Sequence, residues 1–379
     1  MTIKKILITT GTRADYGLLK SLMEEIVIHK NLKLILVVTG AHLSKKHGYT
    51  ISEIKKDGFD IDYKFQNIPK TDSSFHVTKS IGETIIEFSK IFKKFTPDIN
   101  IVFGDRDEML ASSIAASHMN IVNAHLIGGD KSGGLDEYNR HAITKLSNIH
   151  FTSTKESKKR VIQMGEDPNN VFFTGTPAMD DIINKKPTSK HDLEKKIGFT
   201  ITGDEIILLQ HPVTTQIIDT RKQICATLKS ITNFKKTIIA ITPNSDSGHK
   251  IIFEELNKYA KIYSNFYLFE SFSRKDFLGL LNNCGILVGN SSTGMTEAGF
   301  FGIPVVNIGI RQLNRERSGL VIDVKPQSSL ISNAICHIYS SKKSYKNKKI
   351  FGIGNSAKLI VEQLIKINHK KLLKKQITY

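Results

Sequence analysis

Short apolar runs alternate with amphipathic stretches along most of this chain of 379 residues. In the first half the apolar runs predict strands at Lys5 to Thr10, Leu32 to Val38 and Ile99 to Phe103, with helical stretches between them. A polar, proline-bearing segment at 184–190 interrupts the pattern, and the alternation then starts again. Strands that alternate with helices are typical of a parallel sheet covered on both faces. The sequence therefore predicts two similar α/β halves, followed by an amphipathic helix near Ala357 to Lys371.

The net charge raises the question of a nucleic-acid partner. The chain carries 54 Lys and Arg against 36 Asp and Glu, a formal net charge of +18, and such a charge is common in nucleic-acid-binding proteins. Much of the excess, however, lies in solvated lysine runs such as Lys370 to Lys375, and no nucleic-acid-binding motif accompanies it. We therefore expect no nucleic-acid partner.

Apolar runs and cysteines indicate the compartment. No apolar run is long enough to span a membrane, and the first residues lead directly into a strand without a signal-peptide cleavage pattern. The three cysteines, Cys225, Cys284 and Cys336, are scattered and show neither metal-ligand nor disulfide spacing. We therefore expect a cytoplasmic protein that has no membrane partner and binds no metal.

Polar residues follow several predicted strands at the point where each strand ends. In the first half these are Gly11 to Asp15, Gly104 to Glu108 and His125, and in the second half His211 to Thr215 and Gly289 to Gly294. Ligands of open α/β sheets bind beyond the carboxyl ends of the strands. These five polar strand ends therefore predict one ligand cleft between two domains.

The hydroxyl-rich turn at Asn290 to Gly294 follows the apolar run Ile286 to Val288 and opens a predicted helix. Such a turn offers backbone N–H groups, hydroxyl donors and the positive end of a helix dipole, which together favour a phosphate group. An ordinary Ser/Thr cap of a structural helix is the alternative. Glu297 lies about one helical turn further along and can accept hydrogen bonds from sugar hydroxyls.

Two side chains at strand ends are candidates for acid–base chemistry. Asp105 lies in the turn after its strand, whereas Asp107 and Glu108 also fit as first-turn acids that favour the helix dipole. His211 comes directly after an apolar strand, which would hold its imidazole at the predicted cleft. His125 is placed similarly, but it fits equally well as a buried, hydrogen-bonded residue.

The loop after the first strand carries an arginine but no nucleotide-binding fingerprint. Thr9 to Arg13 lacks the G-x-G-x-x-G pattern, and no Walker A sequence occurs in the chain, which disfavours a nicotinamide cofactor. Arg13 can bind a phosphate through its planar guanidinium group. A surface ion pair with Asp15 is the other interpretation.

Six segments, in order across nearly the whole chain, resemble those of the hydrolysing UDP-N-acetylglucosamine 2-epimerases. The segments are GTRADYG at 11–17, GDRDE at 104–108, LDEYNRHAITKLS at 135–147, FTGTPAMDDI at 173–182, HPVTT at 211–215 and GNSSTGMTEAGFFGIPVVNIGIRQ at 289–312. This family includes enzymes of bacterial sialic-acid and other nonulosonic-acid pathways.

The resemblance implies an α/β, GT-B-like fold of two Rossmann-like domains with parallel sheets and an interdomain cleft. We place the N-terminal domain at 1–183, the C-terminal domain at 184–355, and a helix that returns toward the first domain at 356–379. The implied partner is a nucleotide-sugar substrate, with no cofactor and no metal. We also expect a homo-oligomer, either a dimer or a tetramer.

The implied reaction is an elimination followed by a hydration. UDP leaves C1 while the C2 proton is removed, and water then adds at C1 while a proton returns to C2 on the other face. By position, the implied acid–base groups are Asp105, Asp136 and His211. The implied substrate-binding groups are Arg13, Arg106, Ser291, Ser292, Glu297 and Arg311, with the two serines and Arg13 on the diphosphate and Glu297 on the ribose.

The chain departs from the family at two places, and at the first of them Gly17-Leu18 stand where the family often has a lysine close after Arg-Ala-Asp-Tyr. The family commonly has a glutamate two residues after the histidine of its His-x-Glu-Gly-Gly segment, and here Ile127 occupies that place. We expect Asp136 and Asp105, with Asp107 or Asp130, to handle the protons. Ile127 also suits a sugar that has lost a hydroxyl, such as the UDP- or GDP-linked diacetamido trideoxy sugars that sister enzymes accept. The alternatives are a non-hydrolysing epimerase, a GT-B glycosyltransferase and an inactive nucleotide-sugar-binding protein.

Overall fold

The computed structural model describes residues 3–45, 49–71, 73–243, 246–341 and 348–378. The chain divides into two compact units. Unit 1 comprises Met1–Asp130, Asp136–Asn184 and Ile350–Tyr379, and unit 2 comprises Lys131–Leu135 and Lys185–Lys349. Within the described ranges, no helix is long and apolar enough to cross a membrane.

Unit 1 contains a parallel sheet of seven strands in the order β3-β2-β1-β4-β5-β6-β7. The strands are β1 (Lys4–Thr10), β2 (Leu32–Val38), β3 (Tyr63–Lys64), β4 (Ile99–Phe103), β5 (Val122–Leu126), β6 (Ile149–Thr152) and β7 (Val171–Phe173). The strand order reverses between β1 and β4, which pair with Ile8 opposite Ile101. Such a switch point is where open α/β sheets bind ligands.

Helices cover both faces of this sheet. They are α1 (Arg13–Ile28), α2 (Ile51–Lys56), α3 (Ser74–Phe95), α4 (Asp107–His118), α5 (Leu135–Leu146), α6 (Lys155–Gln163) and α7 (Pro177–Asn184). On one face α1 contributes Leu19 and Leu22 to the core, and on the other face Phe88 of α3 packs near Ala111 of α4. Burial of these apolar side chains is the main favourable contribution to folding of the unit.

Unit 2 contains a second parallel sheet, of six strands in the order β10-β9-β8-β11-β12-β13. The strands are β8 (Ile206–Leu209), β9 (Ile238–Ile241), β10 (Phe266–Phe269), β11 (Ile286–Gly289), β12 (Val305–Ile308) and β13 (Val321–Val324). The helices are α8 (Lys190–Ile197), α9 (Thr220–Thr232), α10 (His249–Ile262), α11 (Arg274–Asn283), α12 (Thr293–Thr296), α13 (Ala298–Phe301) and α14 (Ser328–Ser340). The strand order of this sheet reverses between β8 and β11, which gives unit 2 its own switch point.

The last helices return to unit 1. They are α15 (Ser356–Lys366) and α16 (His369–Leu372), and Ile360 and Leu364 of α15 are fully buried in the core that α1 lines. The Asp180 carboxylate accepts hydrogen bonds from the first N–H groups of α15, on Ser356 and Ala357. The Lys4 ammonium group donates to three carbonyl oxygens near the other end, those of Leu364, Ile365 and Ile367. Opposite charges therefore hold both ends of the helix dipole.

The segment after α16 also packs on unit 1. Lys375 Nζ donates to the carbonyl oxygens of Lys145 at 2.7 Å and Ser147 at 2.6 Å, near the C-terminal end of α5. It also pairs with the buried Glu166 carboxylate at 2.6 Å. The expectation of a solvated lysine run is therefore wrong for Lys375, because its charge is matched inside the unit.

Candidate active site

The turn after β1 is built around a buried carboxylate. Asp15 accepts hydrogen bonds from the N–H groups of Gly11 at 3.0 Å and Thr12 at 2.9 Å, and Thr12 caps α1 in return. A Cβ at Gly11 would lie 2.3 Å from Glu108 Oε1, so a side chain there would displace the Glu108 carboxylate. Arg13, which follows the cap, has its guanidinium group on the carboxylate of Glu53.

The turn after β4 places a second group of charges beside the first. Arg106 Nε donates to Glu108 Oε1 at 2.6 Å. Glu108 is buried, and burial raises the pKa of its carboxyl group, although Arg106 opposes that shift. Arg106, predicted to bind the substrate, thus already compensates a buried carboxylate. Asp105 lies one residue earlier and keeps about a fifth of its side chain exposed, at 22%.

One face of α5 holds the carboxylates of this turn. Asn139 Nδ2 donates to Asp107 Oδ1 at 2.9 Å, and Arg140 Nη2 donates to Asp105. Asp136 lies one helical turn before Arg140, so it shares the same face and interacts electrostatically with that guanidinium group. The structure therefore places Asp105 and Asp136, two of the three predicted acid–base residues, within electrostatic range of Arg140.

His125 of β5 has a structural position rather than a catalytic one. It is fully buried, with Nε2 2.8 Å from the Gly104 carbonyl oxygen and Nδ1 3.1 Å from the Thr144 hydroxyl. Burial lowers its pKa to about 3. The ring is therefore neutral at physiological pH, Nε2–H donates to Gly104, and the buried interpretation of His125 is confirmed.

Ile127, at the end of β5, adopts an unusual backbone conformation. Its φ angle is 58°, in the left-handed region that a β-branched residue rarely enters. Its N–H donates to the Phe151 carbonyl oxygen at 2.9 Å, and its side chain is half-buried. An isoleucine held in this conformation indicates that the backbone shape of the loop is fixed by its surroundings, whatever side chain it presents.

The two predicted substitutes for the missing glutamate differ in accessibility. Asp130 is 1% exposed and accepts hydrogen bonds from the hydroxyls of Ser153 and Ser157, so it anchors the start of α6. Asp107 is half-buried at the first position of α4. Of the two, Asp107 is the carboxylate that solvent can reach.

In unit 2 an asparagine joins the ends of β8 and β11. Asn290 Oδ1 accepts from the His211 N–H at 2.7 Å, and Asn290 Nδ2 donates to the His211 carbonyl oxygen at 2.9 Å. Gly289, with φ of 142°, has no room for a side chain, because its Cβ would lie 2.0 Å from the Leu209 carbonyl oxygen. The strand ends thus lie close enough to fix the backbone of His211 beside the serine turn.

The serine turn follows directly. Ser291 and Ser292 are half-buried, and within the described ranges no hydrogen bond from either backbone N–H to another residue is seen. Their donors therefore suit an anionic group. The regular helix predicted after them is replaced by two short pieces, α12 and α13, with Glu297 at the break at φ −103° and ψ −41°.

Glu297 is almost wholly buried, and Arg274 Nη1 donates to it at 2.6 Å. Arg274 Nε and Nη2 are buried without a hydrogen-bond partner in the part of the chain that the structure describes. Arg311 lies nearby in the same unit, with Nη1 3.3 Å from the Asn290 carbonyl oxygen. The predicted residues of unit 2 thus gather around the ends of β8, β11 and β12.

Sequence reasoning missed two of the cations in these clusters. Arg140 lies in a helix whose sequence suggests an exposed arginine. The available signal was its i, i+4 spacing from Asp136, which places the two side chains on the same helix face. Arg274 has no sequence signal, since its pairing with Glu297 joins distant segments. No group of three or more His, Cys, Asp or Glu among the described residues could hold a metal ion.

Each unit presents polar groups beyond the carboxyl ends of a parallel sheet with a switch point, as in nucleotide-sugar enzymes of GT-B-like fold. The chain belongs to the UDP-N-acetylglucosamine 2-epimerase family, whose model matches residues 24–365. The family and the GT-B-like fold recognised from the sequence are therefore confirmed.

Three relatives illustrate the family. The chain is 35% identical over 378 residues to the UDP-N,N'-diacetylbacillosamine 2-epimerase (hydrolyzing) of Legionella pneumophila, covering 100% of both chains. It is 36% identical over 337 residues to polysialic acid biosynthesis protein P7 of Escherichia coli, covering 88% of this chain and 85% of the relative. Its fold matches that of the UDP-GlcNAc 2-epimerase of Neisseria meningitidis bound to UDP-GlcNAc, with a TM-score of 0.80 and 22% identity. The match covers 96% of this chain and 100% of the Neisseria chain.

Proposed function

We propose that this chain hydrolyses a UDP-linked 2,4-diacetamido trideoxy sugar and inverts C2 of the released sugar. The prediction of a hydrolysing nucleotide-sugar 2-epimerase for nonulosonic-acid biosynthesis is confirmed at the level of the family and its relatives. The exact sugar is our proposal. The observation that carries it is Ile127, an apolar side chain at the end of β5 where the family commonly has a carboxylate.

The choice of sugar follows from the chemistry of that position. A 6-deoxy sugar presents a methyl group where N-acetylglucosamine has a hydroxymethyl group, and an apolar side chain favours the methyl group because it offers no hydrogen-bond partner. The Legionella relative, which covers the whole chain, is named for such a substrate. UDP-N-acetylglucosamine is the second candidate, since the structural neighbour from Neisseria is bound to it.

The acid–base groups of the proposed reaction are Asp105, Asp136 and His211. A carboxylate removes the C2 proton as the C1–O bond breaks toward UDP, which leaves a C1=C2 double bond in a glycal-like intermediate. Water then adds its hydroxyl to C1, and a proton returns to C2 on the opposite face. Charge develops at C1 and on the leaving phosphate, so carboxylates near the sugar and cations near the phosphate both lower the barrier.

The nucleotide is bound, in this proposal, by the serine turn of unit 2. Ser291 and Ser292 offer hydroxyls and backbone N–H groups to the diphosphate, and Arg311 adds a positive charge beside the same turn. Glu297 accepts from the ribose hydroxyls while Arg274 holds its carboxylate. Arg13 and Arg106 supply further positive charge for the substrate, with Glu53 and Glu108 as their partners in the free protein.

The test is turnover of a small panel of nucleotide sugars. Wild-type protein is incubated with UDP-N-acetylglucosamine, with UDP-N,N'-diacetylbacillosamine and with its GDP analogue, in heavy water, and the free sugar is analysed by mass spectrometry. We expect the UDP-linked diacetamido sugar to be the best substrate and its product to carry one deuterium at C2. A product without deuterium contradicts elimination, and release of a nucleotide-linked epimer contradicts hydrolysis.

The variant Ile127→Glu tests the assignment of the sugar, with Ile127→Val as the matched control that keeps an apolar side chain. The glutamate should lower kcat/KM for the diacetamido sugar by about 10-fold or more relative to UDP-N-acetylglucosamine, which corresponds to the loss of one apolar contact. The valine should keep the wild-type preference. If both variants keep the wild-type preference between the two sugars, Ile127 does not determine which sugar is accepted.

A further inference from the structure

Arg140 is the buried cation among the carboxylates of unit 1. Its side chain is 0% exposed. Nη2 donates to the Asp105 carboxylate, and Nη1 donates to the Asp130 carbonyl oxygen at 3.0 Å and to Glu137 at 3.3 Å. Because the guanidinium group has no exposed surface, it has no direct contact with a substrate. Any effect on the reaction passes through the groups that it holds.

A buried charge at this position is costly for the fold of unit 1. Burial of an ion pair costs desolvation free energy, and well-packed apolar residues often stabilise such a site as much or more. The neighbouring turns of α5 are already anchored by the buried side chains of Ile143 and Thr144. The hydrogen bonds of the guanidinium group to Asp105 and to the Asp130 carbonyl oxygen are contacts that an apolar side chain could not make.

The charges around Arg140 indicate that role. Burial opposes the charge of the guanidinium group, yet Asp105, Asp130 and Asp136 raise the pKa of Arg140 overall. Glu137 lies on the same helix, and His125 of β5, which also interacts with Asp105, is neutral. Arg140 thus places a buried positive charge against Asp105 and near Asp136.

We propose that Arg140 is a positioning residue for the epimerase reaction, which fixes the Asp105 carboxylate in place and in its ionised form. This inference rests on the proposed function for the role of Asp105. The fork of the guanidinium group reaches Asp105 and the Asp130 carbonyl oxygen at the same time, and so ties the turn after β4 to the loop after β5. A lysine ammonium group would keep the charge but would lack this planar two-sided geometry.

The experiment compares Arg140→Met, Arg140→Lys and the control Glu137→Gln, which loses a different contact of Arg140. For Arg140→Met we expect kcat to fall by about 10- to 100-fold, as for a displaced reacting group, while KM changes by less than about threefold. As the solution is acidified, Arg140→Met should lose activity about one pH unit earlier than the wild type. The reason is that removal of a neighbouring positive charge favours protonation of a carboxylate. Arg140→Lys should lose activity at the same acid pH as the wild type but should recover only part of the wild-type kcat. Glu137→Gln should resemble the wild type in its acid pH dependence and in its kcat.

A second readout does not depend on turnover. The aspartate carboxyl carbons are labelled with ¹³C, the Asp105 signal is assigned with Asp105→Asn, and its titration is followed by NMR. Its midpoint should lie about one pH unit higher in Arg140→Met than in the wild type. If Arg140→Met folds and the titration midpoint of Asp105 is unchanged, the positioning role is wrong. If the wild type shows no turnover, only the proposed function is contradicted. If Arg140→Met does not fold, wild-type kcat in Arg140→Lys would overturn the proposal.

Discussion

The two units offer contrasting polar groups at equivalent places in their sheets. At the switch point of unit 1 the side chains are buried and charged: Asp15 and Glu108 are each 4% exposed, and Arg140 is 0% exposed. At the switch point of unit 2 the serine turn itself offers neutral groups, namely hydroxyls, backbone N–H groups and the Asn290 amide, and the charged groups Arg311 and Glu297 lie beside it. Preorganised charges suit proton transfer, whereas neutral donors at a turn suit a phosphate group that must also be released.

This contrast predicts that chemistry and nucleotide binding can be damaged separately. The largest effect is expected for Asp105→Asn, which keeps the size of the side chain but removes the proposed acid–base group. We expect kcat to fall by about 100-fold or more, in the range of a general acid–base residue, while UDP affinity by calorimetry stays within about threefold. The matched control is Asp57→Asn, a carboxylate of unit 1 bound to Tyr16 and Lys20. If Asp105→Asn loses affinity for UDP, chemistry and nucleotide binding are not separate in the way that the comparison of the two units predicts.

The converse change is the double variant Ser291→Ala with Ser292→Ala. Loss of hydroxyl donors to a charged group should weaken UDP binding by about 1–3 kcal/mol, or roughly 5- to 150-fold in Kd. Calorimetry with UDP measures this directly, and Ser328→Ala, at the start of α14, serves as the control. If the double variant binds UDP as tightly as the wild type, the serine turn is not part of the nucleotide site.

The smallest effect concerns stability in acid, which should also differ between the units. His125 in unit 1 has a pKa of about 3 in the folded protein, whereas an unfolded histidine has a pKa of about 6.5. Between these values the unfolded chain binds a proton that the folded chain does not, so stability falls as the pH is lowered from about 6.5 toward 3.

Between pH 6.5 and 5.5 this loss amounts to about 1 kcal/mol. Urea unfolding at the two pH values should therefore show a smaller loss of stability in His125→Gln than in the wild type. The control is His191→Gln in α8 of unit 2, whose side chain is 74% exposed, and which should behave like the wild type. Equal losses in all three proteins would contradict the buried, neutral histidine.

The sequence predicted the positions of the sites better than their internal contacts. Strand alternation was enough to place Asp105 after β4 and Ser291 after β11, because the apolar runs are buried on both faces of parallel sheets. The edge strands β3, β7 and β13 were missed, since two to four residues with partly exposed side chains carry little periodic signal.

The contacts that complete each site come from distant segments and could not be predicted. The break at Glu297 lies beside the close packing of Gly299 against Ser318 and Gly319, where any side chain would clash, and Glu297 itself pairs with Arg274. The helix predicted at 357–371 ends instead at Lys366, and the chain restarts as α16 at His369. The predicted domain limits, homo-oligomer and cytoplasmic location stay predictions.

The return of α15 to unit 1 sets an order of events during synthesis. Its residues Ile360 and Leu364 fill the core beside α1, yet the ribosome makes them after the whole of 185–349. Unit 2 therefore has all its strands available while unit 1, translated earlier, still exposes an unfilled apolar face. A chain that ends at residue 349 would therefore contain every strand of unit 2 but would leave the core of unit 1 without Ile360 and Leu364.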